Sequence, residues 1–136
     1  MNVQRWLLAS LAAFVAVVAV EMVVHGMLLA DIYKQTASLW RPEAEIGANM
    51  WMMWLGYAIF ALFFTLIYTR GYERAKPVLG QGLRYGFYMG MAFSPMSVFV
   101  AYATQPFPAN LAFYWFLDGL AFTVLSGMVV ALIYRK

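Results

Sequence analysis

Residues 6–30 read WLLASLAAFVAVVAVEMVVHGMLLA, a run whose only ionisable side chains are Glu21 and His25. A helix that crosses a bilayer needs roughly 20 mostly apolar residues, and this run supplies them. Arg5 ahead of it and the small Ala16 and Ala19 within it resemble a signal peptide. The apolar stretch nevertheless continues past Glu21 to Ala30, which predicts a retained span. Working outward, similar stretches recur near 50–69, 83–103 and 111–134. All are too long for strands and lack two-residue alternation, which excludes a β-barrel. The reading is therefore all-α: an integral membrane four-helix bundle, antiparallel up-down-up-down, with 1–136 as a single transmembrane domain and 31–49 as its outer loop.

Composition agrees. The 136 residues are 65% hydrophobic and 11% charged, and the mean hydropathy is +0.73, far from the balance of a soluble domain. Cysteine is absent, which excludes a disulfide scaffold and thiol chemistry. The formal charge of +3 reports topology here, so no nucleic-acid partner is read from it. Of the nine basic residues, Arg5, Arg70, Arg74, Lys76, Arg84, Arg135 and Lys136 fall on one side and only Lys34 and Arg41 on the other. The positive-inside tendency then predicts cytoplasmic N- and C-termini and an even number of spans.

The outer loop carries Leu39-Trp40-Arg41-Pro42-Glu43, an interfacial mixture that suits a segment lying on the membrane. Between spans three and four, Pro106 and Pro108 predict a stiff, tight turn and hence a helical hairpin. Trp51, Trp54, Tyr57, Tyr102, Tyr114 and Trp115 read as an outer aromatic belt, and Tyr68, Tyr72, Tyr85 and Tyr134 as an inner one. A weak likeness between span two (Asn49, Trp54, Leu66-Ile67-Tyr68, Arg70) and span four (Asn110, Trp115, Leu132-Ile133-Tyr134, Arg135) would make the chain two repeated helical hairpins.

Gly82, Gly86, Gly90 and Ser94 recur every four residues along span three, as do Gly119, Thr123, Gly127 and Ala131 along span four. Small residues at this spacing form smooth ridges on which membrane helices approach closely. Contact between spans three and four within one chain is the simpler use of them, and a homo-oligomer seam is the other. Pro95, just past the first ridge, predicts a kink.

Glu21 and His25 stand four apart, hence on one helix face, and Asp118 lies inside span four. At about 1.5 Å per residue, they sit about 13, 8 and 11 Å inside the outer ends of their spans at Ala30 and Leu111. Charge in hydrocarbon is expensive, so all three are expected to face inward in one layer. The predicted ligand-binding set is Glu21, His25 and Asp118 with Tyr57, Trp54, Ser94, Ser97 and Tyr114, an outer-leaflet polar and aromatic pocket in which the three ionisable groups share a proton. The bland alternative is a polar clasp between spans one and four.

A divalent metal at Glu21, His25 and Asp118 is a minority expectation, because a single Glu-His pair lacks a specific metal motif. Met22 and Met27 beside His25, with Met89, Met91 and Met96 in span three, invite copper, but thioethers are ordinary packing residues. One histidine does not ligate haem from both sides. No phosphate-binding glycine loop or nucleophile elbow is present, so no catalytic residue is assigned.

The motifs His25-Gly26, Asp31-Ile32-Tyr33, Leu39-Trp40-Arg41-Pro42-Glu43, Gly71-Tyr72-Glu73 and Gly82-Leu83-Arg84-Tyr85-Gly86 resemble those of small four-span bacterial membrane proteins of unknown function. The resemblance implies a bacterial inner-membrane location and supplies no functional residue. The expected function is non-enzymatic: binding or passing a small or lipid-like ligand with coupled protonation. An accessory subunit that stabilises or assembles a larger membrane complex is the alternative.

Overall fold

Asn2 sets the first boundary, because its Oδ1 accepts the Arg5 N–H at 3.0 Å and satisfies a donor that a helix start leaves free. From there α1 runs Val3–Val23. The computed structural model describes residues 2–135, so Lys136, counted above among the basic residues, lies outside the described residues. Among the described residues all regular structure is helical.

The first helix does not end cleanly. It widens into a π-helical turn, Val24–Leu28, where the Leu29 N–H reaches the Val24 carbonyl at 2.8 Å, five residues back. Leu29 then leaves helical geometry (φ −98°, ψ 0°), and the chain bends into short α2, Ala30–Gln35, and a 3₁₀ turn, Ala37–Leu39. Three longer helices follow: α3, Glu43–Gly71; α4, Val78–Thr104; and α5, Ala109–Ile133. Each starts directly after a proline (Pro42, Pro77, Pro108), which has no N–H to leave unsatisfied. The stretch expected as an outer loop, 31–49, is thus largely helical. Helix α3 begins at Glu43, where Glu43 and Glu45 complement the positive end of the helix dipole.

Three helical stretches, Val3–Leu28, Glu43–Gly71 and Ala109–Ile133, are long and apolar enough to cross a membrane. Helix α4 is long enough at 27 residues but less apolar, because glycines, serines, Gln81 and Arg84 take the place of aliphatic side chains. What it gives up in hydropathy appears as packing. Helix α4 lies along α5 in the most extensive contact of the fold, α5 lies on α1, and α1 on α3, so the order across the molecule is α4, α5, α1, α3.

The α4–α5 seam is the predicted glycine ridge. A Cβ on Gly82 would stand 2.5 Å from the Gly127 carbonyl oxygen, one on Gly86 2.6 Å from the Val124 Cα, and one on Gly119 2.7 Å from the Ser94 Cβ. A Cβ on Gly90 would press on Leu120 and one on Gly127 on Gly86. Rising numbers on α4 meet falling numbers on α5, so the two are antiparallel. Helix α4 runs through Pro95 without a break in the helix.

A second small-residue seam, not read from the sequence, joins α1 to its neighbours. Ala9 and Ala13 are fully buried against Ala61, Phe64, Val130 and Ala131. At that end Tyr68 and Tyr134, expected in an aromatic belt, are 3% and 0% exposed. They belong to a ring stack in which Tyr85 packs 4.6 Å from Phe64 and 5.4 Å from Tyr68, and Tyr72 packs 6.3 Å from Tyr134. The Tyr85 hydroxyl donates to the Phe64 carbonyl at 2.5 Å and ties α4 to α3. The Arg5 guanidinium contacts the Arg135 carbonyl, which brings both ends of the chain together. Nearby, buried Gln81 accepts the Glu73 N–H at 2.8 Å and donates to the Glu73 and Lys76 carbonyls at 2.9 and 3.0 Å, so one side chain fastens the α3–α4 turn.

At the opposite end α3 and α4 are not tied in this way, and α2 with Trp40 folds inward over the start of α5. Trp40 packs on Tyr33, Phe107 and Trp115, around a core of Leu29, Phe107 and Leu111.

Candidate functional site

The candidate site lies under this inward fold, where the π turn of the first helix faces the outer part of α5. Glu21 and His25 project from one face, with His25 Nε2 3.4 Å from Glu21 Oε2. Across the helix interface Asp118 Oδ2 lies 3.2 Å from the same nitrogen. The Tyr57 hydroxyl of α3 donates to Glu21 Oε2 at 3.0 Å. Three helices therefore place four of the predicted residues in one cluster.

Two members of the site were not expected. The Tyr33 hydroxyl is 2.5 Å from His25 Nδ1, and Trp115 Nε1–H donates to that hydroxyl at 2.8 Å. On a straight helix Tyr33 would rise about 12 Å beyond His25. The π turn and the break at Leu29 fold α2 back, and the two rings stack at 5.8 Å and 17°. The sequence signal was the crowding of Gly26 and Asp31 around the end of an apolar run, which does not specify where the chain turns. Trp115 precedes Asp118 by three residues and so shares its face of α5.

Asp118 is 6% exposed, and its Oδ1 has no hydrogen-bond partner among the described residues. The donor atoms of Glu21, His25 and Asp118 all lie within 4.8 Å of one another, so these three could hold a metal ion. Burial above all pushes the Tyr33 hydroxyl up to about 12, with the Trp115 hydrogen bond opposing and the Asp118 and Glu21 carboxylates adding to it. Tyr33 accordingly stays a neutral hydroxyl beside the imidazole across the physiological range.

Two cavities meet at this cluster. The outer one, about 740 Å³, runs beneath α2 and the Trp40-Arg41-Pro42 segment down to Glu21 and His25. The inner one, about 510 Å³, lies between Phe60 of α3 and Phe93, Ser94 and Ser97 of α4, where those helices are not tied. His25 and Trp115 line both. Lys34 and Arg41 at the outer mouth are engaged with Asp31 at 3.4 Å and Glu45 at 3.3 Å.

The remaining expected residues divide. Ser94 and Ser97 line the inner cavity, but their hydroxyls donate to the Phe116 and Ser94 carbonyls at 3.0 and 3.1 Å and do not join the cluster. Tyr114 and Trp54 line neither cavity: Tyr114 packs beside Phe113, and Trp54 beside Phe14. Matching by helix rise sets only the height of a residue along its span and carries no information about which way a helix face turns. Met22 and Met27 are 66% and 72% exposed, and the methionine that lines the outer cavity with Glu21 and His25 is Met53.

Compared with known proteins, the chain matches no family model, no curated protein and no solved structure.

Proposed function

We propose that the chain is a four-span protein of the bacterial inner membrane, with both termini and the α3–α4 turn in the cytoplasm, whose outer-leaflet pocket binds or passes a small ligand with coupled protonation. The observation that carries this reading is the convergence of Glu21 and Asp118, from helices far apart in sequence, on His25, which lines both cavities. A clasp would need the contacts but not the cavities. Burying ionisable groups in a bilayer is costly, and a half-exposed imidazole facing an open space is the usual form of a site that exchanges protons or ligand. Helix α4 crosses with the rest because its polar and small surface is turned onto α5 and away from lipid. The large apolar side chains left outside, among them Leu11, Phe63 and Phe99, form the lipid face.

The test uses the tryptophans at the site. Trp115 touches Tyr33 directly, so the intrinsic fluorescence of purified protein in detergent should change with pH, and the change should disappear in His25→Gln. A panel of small organic ammonium ions and amphiphiles, scored by thermal stabilisation, should give hits whose effect depends on pH and is lost in Asp118→Asn. A flat fluorescence profile together with no stabilising compound would leave only the clasp.

A further inference from the structure

We infer that Glu21, His25 and Asp118 bind a divalent transition-metal ion of the zinc class, with Tyr33 and Tyr57 orienting the ligands and a further coordination position open to the outer cavity. This deepens the ligand-pocket reading and rests on it. Four observations support the assignment.

The first is spacing. A tetrahedral ion with bonds of about 2.0 to 2.1 Å holds neighbouring ligand atoms about 3.3 Å apart. His25 Nε2 stands 3.4 Å from Glu21 Oε2 and 3.2 Å from Asp118 Oδ2, and all three donor atoms lie within 4.8 Å of one another, so two edges already fit and the two carboxylates need only draw together on the ion. The second is the orphaned Asp118 Oδ1, a carboxylate oxygen in a residue more than nine-tenths buried and with no partner among the described residues. A clasp would hold the Asp118 and Glu21 carboxyls together through a shared proton, and a cation takes the place of that proton.

The third is the outer shell. A metal-bound histidine is held through its other ring nitrogen, and His25 Nδ1 is held by Tyr33, which is itself fixed by Trp115. Without metal, the neutral tautomer that serves both contacts carries its proton on Nε2, facing Asp118, and accepts from Tyr33 at Nδ1. With metal, Nε2 is freed for the ion, and Nδ1–H donates to the Tyr33 oxygen. Protons held by the cluster leave as the ion enters, so binding is coupled to protonation. The fourth is charge. In their ligand forms two carboxylates and an imidazole sum to −2, so a divalent ion that displaces the cluster's protons leaves it neutral, the state a membrane interior tolerates.

The donor set narrows the metal. One nitrogen and two carboxylates offer too few oxygens for calcium, and two hard carboxylates with no cysteine in the chain suit a zinc-class ion better than copper(I). Around the outer mouth, Asp31, Glu43 and Glu45 outnumber Lys34 and Arg41, which leaves the approach slightly negative.

The experiment takes the full chain in detergent, stripped with a chelator, and measures uptake of Zn²⁺ alone by equilibrium dialysis, with Co²⁺ absorption as a report on geometry. One zinc per chain and a tetrahedral or five-coordinate cobalt spectrum are expected. Tyr33→Phe, which keeps the packed ring, should weaken zinc about 10- to 100-fold, and Glu21→Gln, His25→Gln and Asp118→Asn should weaken it further. Should a ligand variant fail to fold, Tyr33→Phe alone still decides the matter. No zinc on folded wild-type protein, or zinc uptake unchanged in Tyr33→Phe and in the folded ligand variants, overturns the metal site. A fluorescence titration lost in His25→Gln without any zinc uptake would remove the metal and leave the wider pocket standing.

Discussion

His25 Nε2 and Asp118 Oδ2 meet at 3.2 Å across 93 residues of chain, and this contact ties the first helix to α5 away from the buried cluster that holds Ala9, Val130 and Tyr134. Groups in one hydrogen-bonded network couple by about 0.5 to 3 kcal/mol, whereas separate sites add within a few tenths. Unfolding of His25→Gln, Asp118→Asn and the double variant in detergent should therefore be non-additive by that amount. Simple additivity would mean that the two side chains act independently.

The glycine seam is the most position-specific feature of the fold. A Cβ on Gly86 would press on the backbone of Thr123 and Val124, which cannot swing aside. Gly86→Ala should therefore cost about 1 to 3 kcal/mol and Gly86→Leu more, by forcing the helices apart. Gly56 of α3 has nothing within 4 Å of its would-be Cβ, so Gly56→Ala should be neutral or stabilising by up to about 1 kcal/mol. Equal effects at Gly86 and Gly56 in a detergent unfolding series would show that the seam is not close packed.

Helical content and the Gly82-Gly86-Gly90 register were legible because each follows from local periodicity: an apolar run predicts a helix, and repeated small residues predict a close neighbour. The meeting of Glu21, His25 and Asp118 was legible only as a match of depth, since helix rise fixes height but not rotation. That is why Tyr57 joined the cluster while Trp54 and Tyr114, at plausible heights, did not. Tyr33 was missed because its position depends on a π turn, a local change of helical register that no residue pattern in Val24–Leu28 announces. Tyr68 and Tyr134 look like interfacial anchors by composition, and only their burial among Ala61, Phe64, Val130 and Ala131 shows that they fill a core.

Acid should loosen the α3–α4 turn through Glu73. The Lys76 ammonium at 2.7 Å, helped by Arg84 at 3.3 Å, holds the Glu73 carboxyl below its ordinary value of 4.5, against a smaller opposing effect of desolvation. A depressed folded-state pKa means that the stabilisation is present above about pH 4.5 and is lost as pH falls through the folded value. Wild type should melt above Glu73→Gln at pH 7, and the gap should close by pH 3. Other carboxyls are common to both proteins and cancel in the difference, and the Gln81 bonds to the backbone of Glu73 survive the substitution. A gap of the same size at both pH values would show that the ion pairs contribute nothing.

Orientation decides which compartment supplies the pocket. Arg5, Tyr72, Glu73, Lys76, Arg84 and Arg135 gather at one end of the fold through the Arg5–Arg135 contact, the Tyr72–Tyr134 ring pair and the Glu73 ion pairs. The outer cavity opens at the other end, beneath α2 and Trp40. Basic clusters stay in the cytoplasm, so the cavity should face away from it. The chain has no native thiol, which makes single-cysteine labelling clean. Ala44, in the first turn of α3, and Ala75, in the α3–α4 turn, are both exposed, so accessibility at either position reports sidedness and not burial. In intact spheroplasts a membrane-impermeant maleimide should label Ala44→Cys and spare Ala75→Cys, and both should react once the membrane is permeabilised. Labelling of Ala75→Cys alone before permeabilisation would invert the protein and open the Glu21-His25-Asp118 pocket to cytoplasmic ligand and protons, and labelling of both would show that the two ends are not separated by a bilayer.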